Sequence, residues 1–239
     1  MFILVYLWRL CFLILAVVFT VVFGIPAYIL SFKRKHYKYC YFFVRLWCIV
    51  LFYGIGMRYK FISHTSKKIE RNRQYIFIAN HTSVLDIMLI VILLPHHPIF
   101  FVGKKELDRI PFFRNIYKRV AVLVDRKDAR SRASVYQRCA ERMKKGQNVV
   151  IYPEGGVPDD TSVILDNFKD GAFNMATIHG LPIVAFTFIG LKEMFPFDNK
   201  KGYPGCVKVF LEDILEPKGT LSEMKETAYN KMKQTLINE

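Results

Sequence analysis

The chain has 239 residues, with 35 Lys or Arg against 20 Asp or Glu and a net charge of +15 at pH 7. Apolar residues make up 52% of it and aromatic residues 15%, which excludes an intrinsically disordered chain, because disorder pairs high charge with low hydrophobicity. Thirteen glycines without a period exclude a collagen-like chain, and the length suits one domain with or without an appendage.

Charge and apolar residues are unevenly placed. No acid precedes Glu70, yet ten Lys or Arg residues do. From Leu10 to Phe32 the chain runs 23 residues without a charge. At about 1.5 Å per helical residue such a run can cross a hydrocarbon core about 30 Å thick. A cleaved signal peptide fits less well, because the run is too long and no small-x-small site ends it. Lys33-Arg34-Lys35 follows, then an aromatic stretch from Tyr37 to Tyr59 that Arg45 interrupts. Only 12 uncharged residues remain from Leu46 to Met57, a length that suits an interfacial or re-entrant segment. Its Tyr and Trp rings belong at head-group level, and Arg45 can snorkel there. Residues 1–60 therefore read as a membrane-anchoring helical hairpin, residues 61–239 as the globular domain, and the polar stretch Ser63–Gln74 as the boundary.

A basic balance implies nucleic acid or an anionic membrane as partner, and here the apolar anchor decides for membrane lipids. Juxtamembrane cations add about 1 kcal/mol each near anionic lipid. The positive-inside tendency puts the Lys33–Lys38 cluster and the globular part on the cytoplasmic face. No RNA-binding signature or zinc-finger spacing occurs, so nucleic acid is not an expected partner. Cys11, Cys40, Cys48, Cys139 and Cys206 are odd in number and form no CxxC, which speaks for thiols in a reducing compartment rather than disulfides or zinc.

Beyond residue 60, short apolar runs alternate with helical-period stretches. Tyr75–Ala79, Ile99–Val102, Ala121–Val124, Val149–Tyr152, Ile183–Ile189 and Val207–Leu211 read as strands. Helices are predicted near Ser83–Leu94, Ala129–Lys145 and Asp170–His179, and Thr220 with Glu223 forms a capping-box signature for a last helix to about Ile237. The expected fold class is α/β, a mostly parallel or mixed sheet flanked by helices on both faces. Such sheets carry function on the loops that follow their strands.

Three polar groupings stand at those loops. Asn80-His81-Thr82-Ser83-Val84-Leu85-Asp86 follows the first of the predicted strands. Imidazole titrates near neutrality and can take a proton from an alcohol, and a carboxylate on its other nitrogen selects the tautomer. The five-residue spacing works with His81 in the loop and Asp86 on the first helical turn. A blander reading is that Ser83 and Asp86 form an S-x-x-D cap and His81 is an ordinary loop residue. Tyr152-Pro153-Glu154-Gly155-Gly156-Val157-Pro158 is the second grouping. Gly155 and Gly156 let backbone amides cradle a phosphate or a developing oxyanion, and Glu154 can orient a substrate hydroxyl or bind a cation. The bland alternative is a Gly-Gly-x-Pro turn with a solvated Glu. The third grouping is basic: Lys104-Lys105 after one strand and Arg126-Lys127 after another, able to hold phosphate or merely solvated.

In this order the segments resemble the glycerolipid acyltransferase family, of the 1-acylglycerol-3-phosphate (lysophosphatidic acid) acyltransferase type. Asn80–Asp86 is similar to its NHxxxxD motif. Lys104-Lys105-Glu106-Leu107 with Ile110-Pro111-Phe112-Phe113 is similar to its KKEL…P-F segment. Val122–Arg126 resembles a block ending in Asp-Arg, Phe168-Lys169-Asp170-Gly171-Ala172 its F-K-x-G-A, and Leu181–Val184 its V-P-I-V strand. The family's F-P-E-G-T-R reads Tyr-Pro-Glu-Gly-Gly-Val here, so Gly156 and Val157 replace a Thr and the Arg taken to bind acceptor phosphate.

The resemblance implies an enzyme that moves an acyl group from acyl-CoA or acyl-carrier protein to the free hydroxyl of a lysophospholipid, 1-acylglycerol-3-phosphate first among them. It implies no cofactor and no metal. His81 would be the general base and Asp86 its orienting partner; Asn80, Lys104, Arg126, Glu154, Gly155, Gly156 and Lys169 would contact substrate. With Val157 lacking a charge, Arg126, Lys104 or the Gly155-Gly156 backbone would take the phosphate. Direct transfer is expected rather than an acyl-enzyme, since no Ser or Cys stands in a nucleophile elbow and Ser83 reads as a helix cap. A lysolipid with another head group, a hydrolase using His81 with water, and a non-enzymatic basic membrane module are the alternatives. Acyl-chain length and oligomeric state are open.

Overall fold

The long apolar run forms one helix, α1 (Phe2–Ser31), followed by a short 3-10 turn and α2 (Tyr37–Gly54). The computed structural model describes residues 2–105, 117–118, 120–125, 128–158, 160 and 162–239. Of the expected motif residues, Glu106, Leu107, Ile110–Phe113, Arg126 and Lys127 lie outside the described residues. α1 is long and apolar enough to cross a membrane, and only 6% of its most apolar window is buried. That exposure sets it apart from the core helix of a water-soluble protein. One stripe of α1 packs on α2, where Trp47 Nε1 donates to Thr20 Oγ1 at 3.1 Å.

α2 departs from the interfacial segment that its aromatics suggested. Tyr37, Cys40, Tyr41, Cys48, Leu51 and Phe52 are buried against the globular part. The Tyr41 hydroxyl donates to the carbonyl of Leu94 at 2.9 Å, and Arg45 donates to that of Ile92 at 3.1 Å. These carbonyls close α3 (Leu85–Leu93), whose last turn has no intrahelical donors of its own. The demand of a helix end for donors therefore draws Arg45 inward instead of toward head groups.

The remaining elements are β1 (Arg58–Ser63), β2 (Ile76–Ala79), β3 (Ile99–Lys104), β4 (Ala121–Val124), α4 (Ala129–Met143), β5 (Asn148–Ile151), α5 (Gly171–His179), β6 (Ile183–Ile189), α6 (Leu191–Met194), β7 (Cys206–Leu215) and α7 (Leu221–Asn238). The seven described strands form one sheet in the order β1-β7-β6-β2-β5-β3-β4. All neighbours are parallel except β6 and β7. This is the mixed α/β sheet that the alternation predicted, with β1 and β7 reversed. β1 begins at Arg58, so the sheet reaches back across residue 60 to the end of the hairpin. The third strand also runs two residues further than its apolar core, ending at Lys104.

Strand alternation distributes side chains to two cores. Tyr75, Phe77 and Ala79 face α2 and α3, while Ile76 and Ile78 face α4, α5 and α7. Both faces are covered, which is why β2 is apolar at every position. The carboxyl ends of β2 and β5 meet in the middle of the sheet, and the loops leaving them stand side by side.

α7 carries the predicted capping box: Thr220 Oγ1 accepts from Glu223 N at 3.2 Å, and Glu223 Oε2 accepts from Thr220 N at 2.8 Å. Thr220→Ala removes one acceptor from an exposed helix start, and the expected loss is about 1 kcal/mol of unfolding free energy, measurable by urea titration.

Candidate active site

β2 ends at Ala79 and the chain turns through Asn80–Val84 before α3 starts. Asp86 sits in the first turn of α3, fully buried. Three donors converge on its Oδ2: the Thr82 amide at 2.5 Å, the Ser83 amide at 2.8 Å and His81 Nδ1 at 3.0 Å. α3 has no capping side chain at Val84, so Asp86 supplies the acceptor from inside the first turn, where the helix dipole favours negative charge. Capping and orienting, alternatives in the sequence, are here done by one oxygen.

A carboxylate only accepts, so Nδ1 carries a hydrogen, and in the neutral ring the lone pair is then on Nε2. The imidazole stacks on the Tyr152 ring with centroids 4.3 Å apart and planes 22° from parallel. Two contacts thus hold the ring, one at its edge and one on its face. The side chain of His81 stays 17% exposed while that of Asp86 is sealed. Ser83 Oγ accepts from Leu85 N at 3.2 Å and donates to the Phe195 carbonyl at 2.6 Å, consistent with a cap that also ties the turn to the end of α6.

Two of the proposed substrate contacts are spent inside the protein. Asn80 is buried; its Nδ2 donates to the Phe188 carbonyl at 2.9 Å and its Oδ1 accepts the Phe188 amide at 2.8 Å. Its side chain thus extends the β2–β6 ladder by one peptide-like rung, leaving neither amide atom for a ligand. Glu154 is buried as well, with Oε1 accepting from His81 N at 2.8 Å and Oε2 from Asp166 N at 3.0 Å. Burial pushes its carboxyl above the usual range, and the two backbone amides pull against that shift. The solvated-Glu and open substrate-ligand readings both give way to a bracket between the His81 turn and the 166–169 segment.

Gly155 adopts φ +80°, the left-handed region that only glycine enters without strain. Its amide donates to the Tyr152 carbonyl at 3.0 Å. The amides of Gly156 and Val157 donate to nothing among the described residues. Lys169 arches over this turn, so close that a Cβ on Gly155 would stand 2.5 Å from its Nζ. Lys104 lies at the end of β3, and Arg126 is outside the described residues, so neither side chain is located relative to the site. Lys105 is exposed and 3.9 Å from Asp125.

Tyr152 escaped the sequence reading as a site residue. Its hydroxyl and Asp86 Oδ1 are buried with no partner among the described residues. Burial, reinforced by the Asp86 charge, pushes the Tyr152 phenol well above its ordinary range, so it stays protonated beneath His81. Among the described residues no group of three His, Cys, Asp or Glu side chains converges to hold a metal. A cavity of about 500 Å³ lies at the opposite end of the sheet, between Ser31–Lys33, β4 and α4, and includes none of these residues.

Residues 60–189 match the family model described as Acyltransferase. The chain is 30% identical over 171 residues to a chloroplastic 1-acyl-sn-glycerol-3-phosphate acyltransferase of Brassica napus, covering 71% of this chain and 48% of that protein. It is 28% identical over 145 residues to the 1-acyl-sn-glycerol-3-phosphate acyltransferase of Helicobacter pylori, covering 59% of this chain and 60% of that one. The chain thus spans about half the length of the plant relative. The crystal structure of the 1-acyl-sn-glycerophosphate (LPA) acyltransferase PlsC from Thermotoga maritima has the same fold, with a TM-score of 0.76 at 24% identity over 98% of this chain and 94% of that one.

Asn80→Ala leaves the Phe188 amide and carbonyl unpaired in the interior. The expected cost is about 2–3 kcal/mol of unfolding free energy. Denaturant unfolding in detergent measures it; a loss below about 0.5 kcal/mol would show that water replaces the side chain there.

Proposed function

The chain belongs to the acyltransferase family, and we propose that it transfers a fatty acyl group from a thioester, acyl-CoA or acyl-carrier protein, to the free hydroxyl of 1-acylglycerol-3-phosphate, yielding phosphatidic acid. The observation that carries this reading is the convergence of three donors on Asp86 Oδ2, which engages His81 at Nδ1 and leaves Nε2 of the neutral ring as the base at the edge of the site. The plant and Helicobacter pylori relatives, both 1-acyl-sn-glycerol-3-phosphate acyltransferases, support the acceptor.

In the proposed reaction the acceptor oxygen attacks the thioester carbon while Nε2 takes its proton. The tetrahedral intermediate collapses with cleavage of the C–S bond, and the imidazolium returns the proton to the departing thiolate. An ester and a free thiol result. Asp86 stabilises the imidazolium through Nδ1–H and keeps the ring from turning. The Tyr152 face and the Glu154 bracket restrict the same ring and its backbone.

α1 supports placement at a membrane. It presents Ile3, Leu7, Ile14, Val17, Val21 and Ile29 outward, all exposed. It is also tied to the globular part near its amino-terminal end. Arg9 donates to the carbonyls of Pro196 and Lys201, each at 2.8 Å, and Ser31–Lys33 border a cavity with β4. The Arg9 end lies beside the loop that Ser83 contacts. The lipid acceptor then reaches His81 without leaving the bilayer, sparing about 0.8 kcal/mol for each CH₂ that would otherwise meet water. The basic balance supports a domain on the cytoplasmic face, where the thioester donor is soluble.

Val157, standing where the family has Arg, favours a second reading: transfer to a lysolipid with another head group.

His81→Ala should lower acyl transfer at least a thousandfold, read as free thiol released from acyl-CoA with lysolipid present, while the chain still folds cooperatively and associates with vesicles. A folded variant with full turnover would remove His81 from the role.

A further inference from the structure

At the end of the sheet away from His81, five cations face one acid across the cavity between the α1–α2 turn, β4 and α4. Lys33 comes from the turn, Lys118 from the segment before β4, and Arg138, Arg142 and Lys145 from α4 and the residues just after it; Glu141 is the acid. The cavity measures about 500 Å³. Among the described residues Lys33, Lys145 and Glu141 make no ion pair. Charges of one sign gathered around a concavity reinforce one another's potential, because the low-dielectric wall focuses the field into it. An anion in the cavity offsets that repulsion.

The wall is held in place from both sides. Arg142 Nη2 donates to the carbonyls of Lys118 at 3.3 Å and Ala121 at 3.4 Å, which keeps the guanidinium at the start of β4. Arg138 donates through Nε and Nη2 to the carbonyl and hydroxyl of Ser134, at 3.3 and 3.2 Å. Opposite them the Tyr37 hydroxyl donates to the Ile99 carbonyl at 2.6 Å, tying the turn that bears Lys33 to the first residue of β3.

α1 indicates what the anion is attached to. Its outward face ends with the exposed Ile29, the exposed Phe32 follows, and Lys33 comes next. On a helix seated in a bilayer, that change falls at the level of the head-group phosphates. An apolar groove of about 320 Å³, lined by Leu30, His36, Tyr39 and Phe43, opens on the same turn. A cationic cavity beside an apolar groove matches a molecule with phosphate at one end and hydrocarbon at the other. Free phosphate would leave the groove uncovered.

We propose that this cavity binds the phosphate of an anionic phospholipid of the surrounding bilayer, with one of its acyl chains along the groove. The bound lipid is not a reactant. It joins α4 and β4 to the α1–α2 turn through the head group that they share, at the opposite end of the sheet from His81.

The experiment measures Kd for labelled phosphatidylglycerol with the full chain in mixed micelles of a neutral detergent. The parent is expected to prefer phosphatidylglycerol to phosphatidylcholine at least tenfold. The triple variant Lys33→Gln, Arg138→Gln, Lys145→Gln should weaken binding of phosphatidylglycerol at least tenfold. A control triple, Lys60→Gln, Lys218→Gln, Lys233→Gln, removes the same charge from exposed positions outside the cavity and should stay within about twofold of the parent. Glu141→Gln removes the acid from the wall and should tighten binding about two- to fivefold, a gain that misfolding does not produce. Equal weakening in the two triples would reduce the effect to net charge and overturn the proposal. Displacement of the labelled lipid by millimolar inorganic phosphate would make the cavity a free-anion site, and displacement by acyl-carrier protein a protein dock; either overturns it. So does a loss of acyl transfer in the cavity triple, measured without phosphatidylglycerol, that matches its loss of binding, since that would place the cavity in the reaction itself.

Discussion

A single carboxylate oxygen, Asp86 Oδ2, holds the candidate site together. Taking a charge out of water costs several kcal/mol, and the interior tolerates it only when enough donors replace the lost hydration. Here two backbone amides, an imidazole N–H and the amino-terminal end of α3 do so. Each of those donors is local, within five residues of Asp86. The motif is therefore a self-contained turn, and the same bonds that start the helix choose the tautomer of His81. Any change that moves α3 moves the base with it.

The rest of the fold steadies that turn from outside. α2 sends the Tyr41 hydroxyl and Arg45 to the carbonyls at the far end of α3, fixing the helix at its other terminus. Asn80 locks the chain to β6 just before His81, and Ser83 binds the carbonyl of Phe195 just after it. Phe195 lies beneath the Arg9 guanidinium, 3.7 Å from its ring centroid, at the start of the exposed apolar helix. The exposed apolar helix and the candidate base are thus joined by a short chain of direct contacts. That arrangement ties the large uncovered apolar surface of α1 to the candidate site.

Much of this was legible in the residues, because local signals coincide with local causes. The apolar run of β2, the Ser-x-x-Asp spacing and the Thr220–Glu223 box each depend on neighbours within a few positions. β1 was not legible: Arg-Tyr-Lys-Phe-Ile-Ser alternates charge with ring on an edge strand that is paired only to β7, so no apolar run marks it. The inward course of Arg45 and the ladder role of Asn80 depend on partners 47 and 108 residues away, which no spacing rule contains. Glu154 read as a ligand because its loop has glycines and its charge invites one; only the tertiary fold shows both oxygens committed to amides. Tyr152 read as the last residue of a strand, and its ring is the floor under the imidazole.

The most direct measurement of the account is kcat for Asp86→Asn, with a labelled acyl-CoA and 1-acylglycerol-3-phosphate. Asparagine keeps an oxygen for the Thr82 and Ser83 amides but can neither carry the charge nor hold the required tautomer. The account predicts an intact melt and a fall of roughly 10³- to 10⁴-fold in kcat. Turnover within about threefold of the parent, in a variant that still folds, would contradict it.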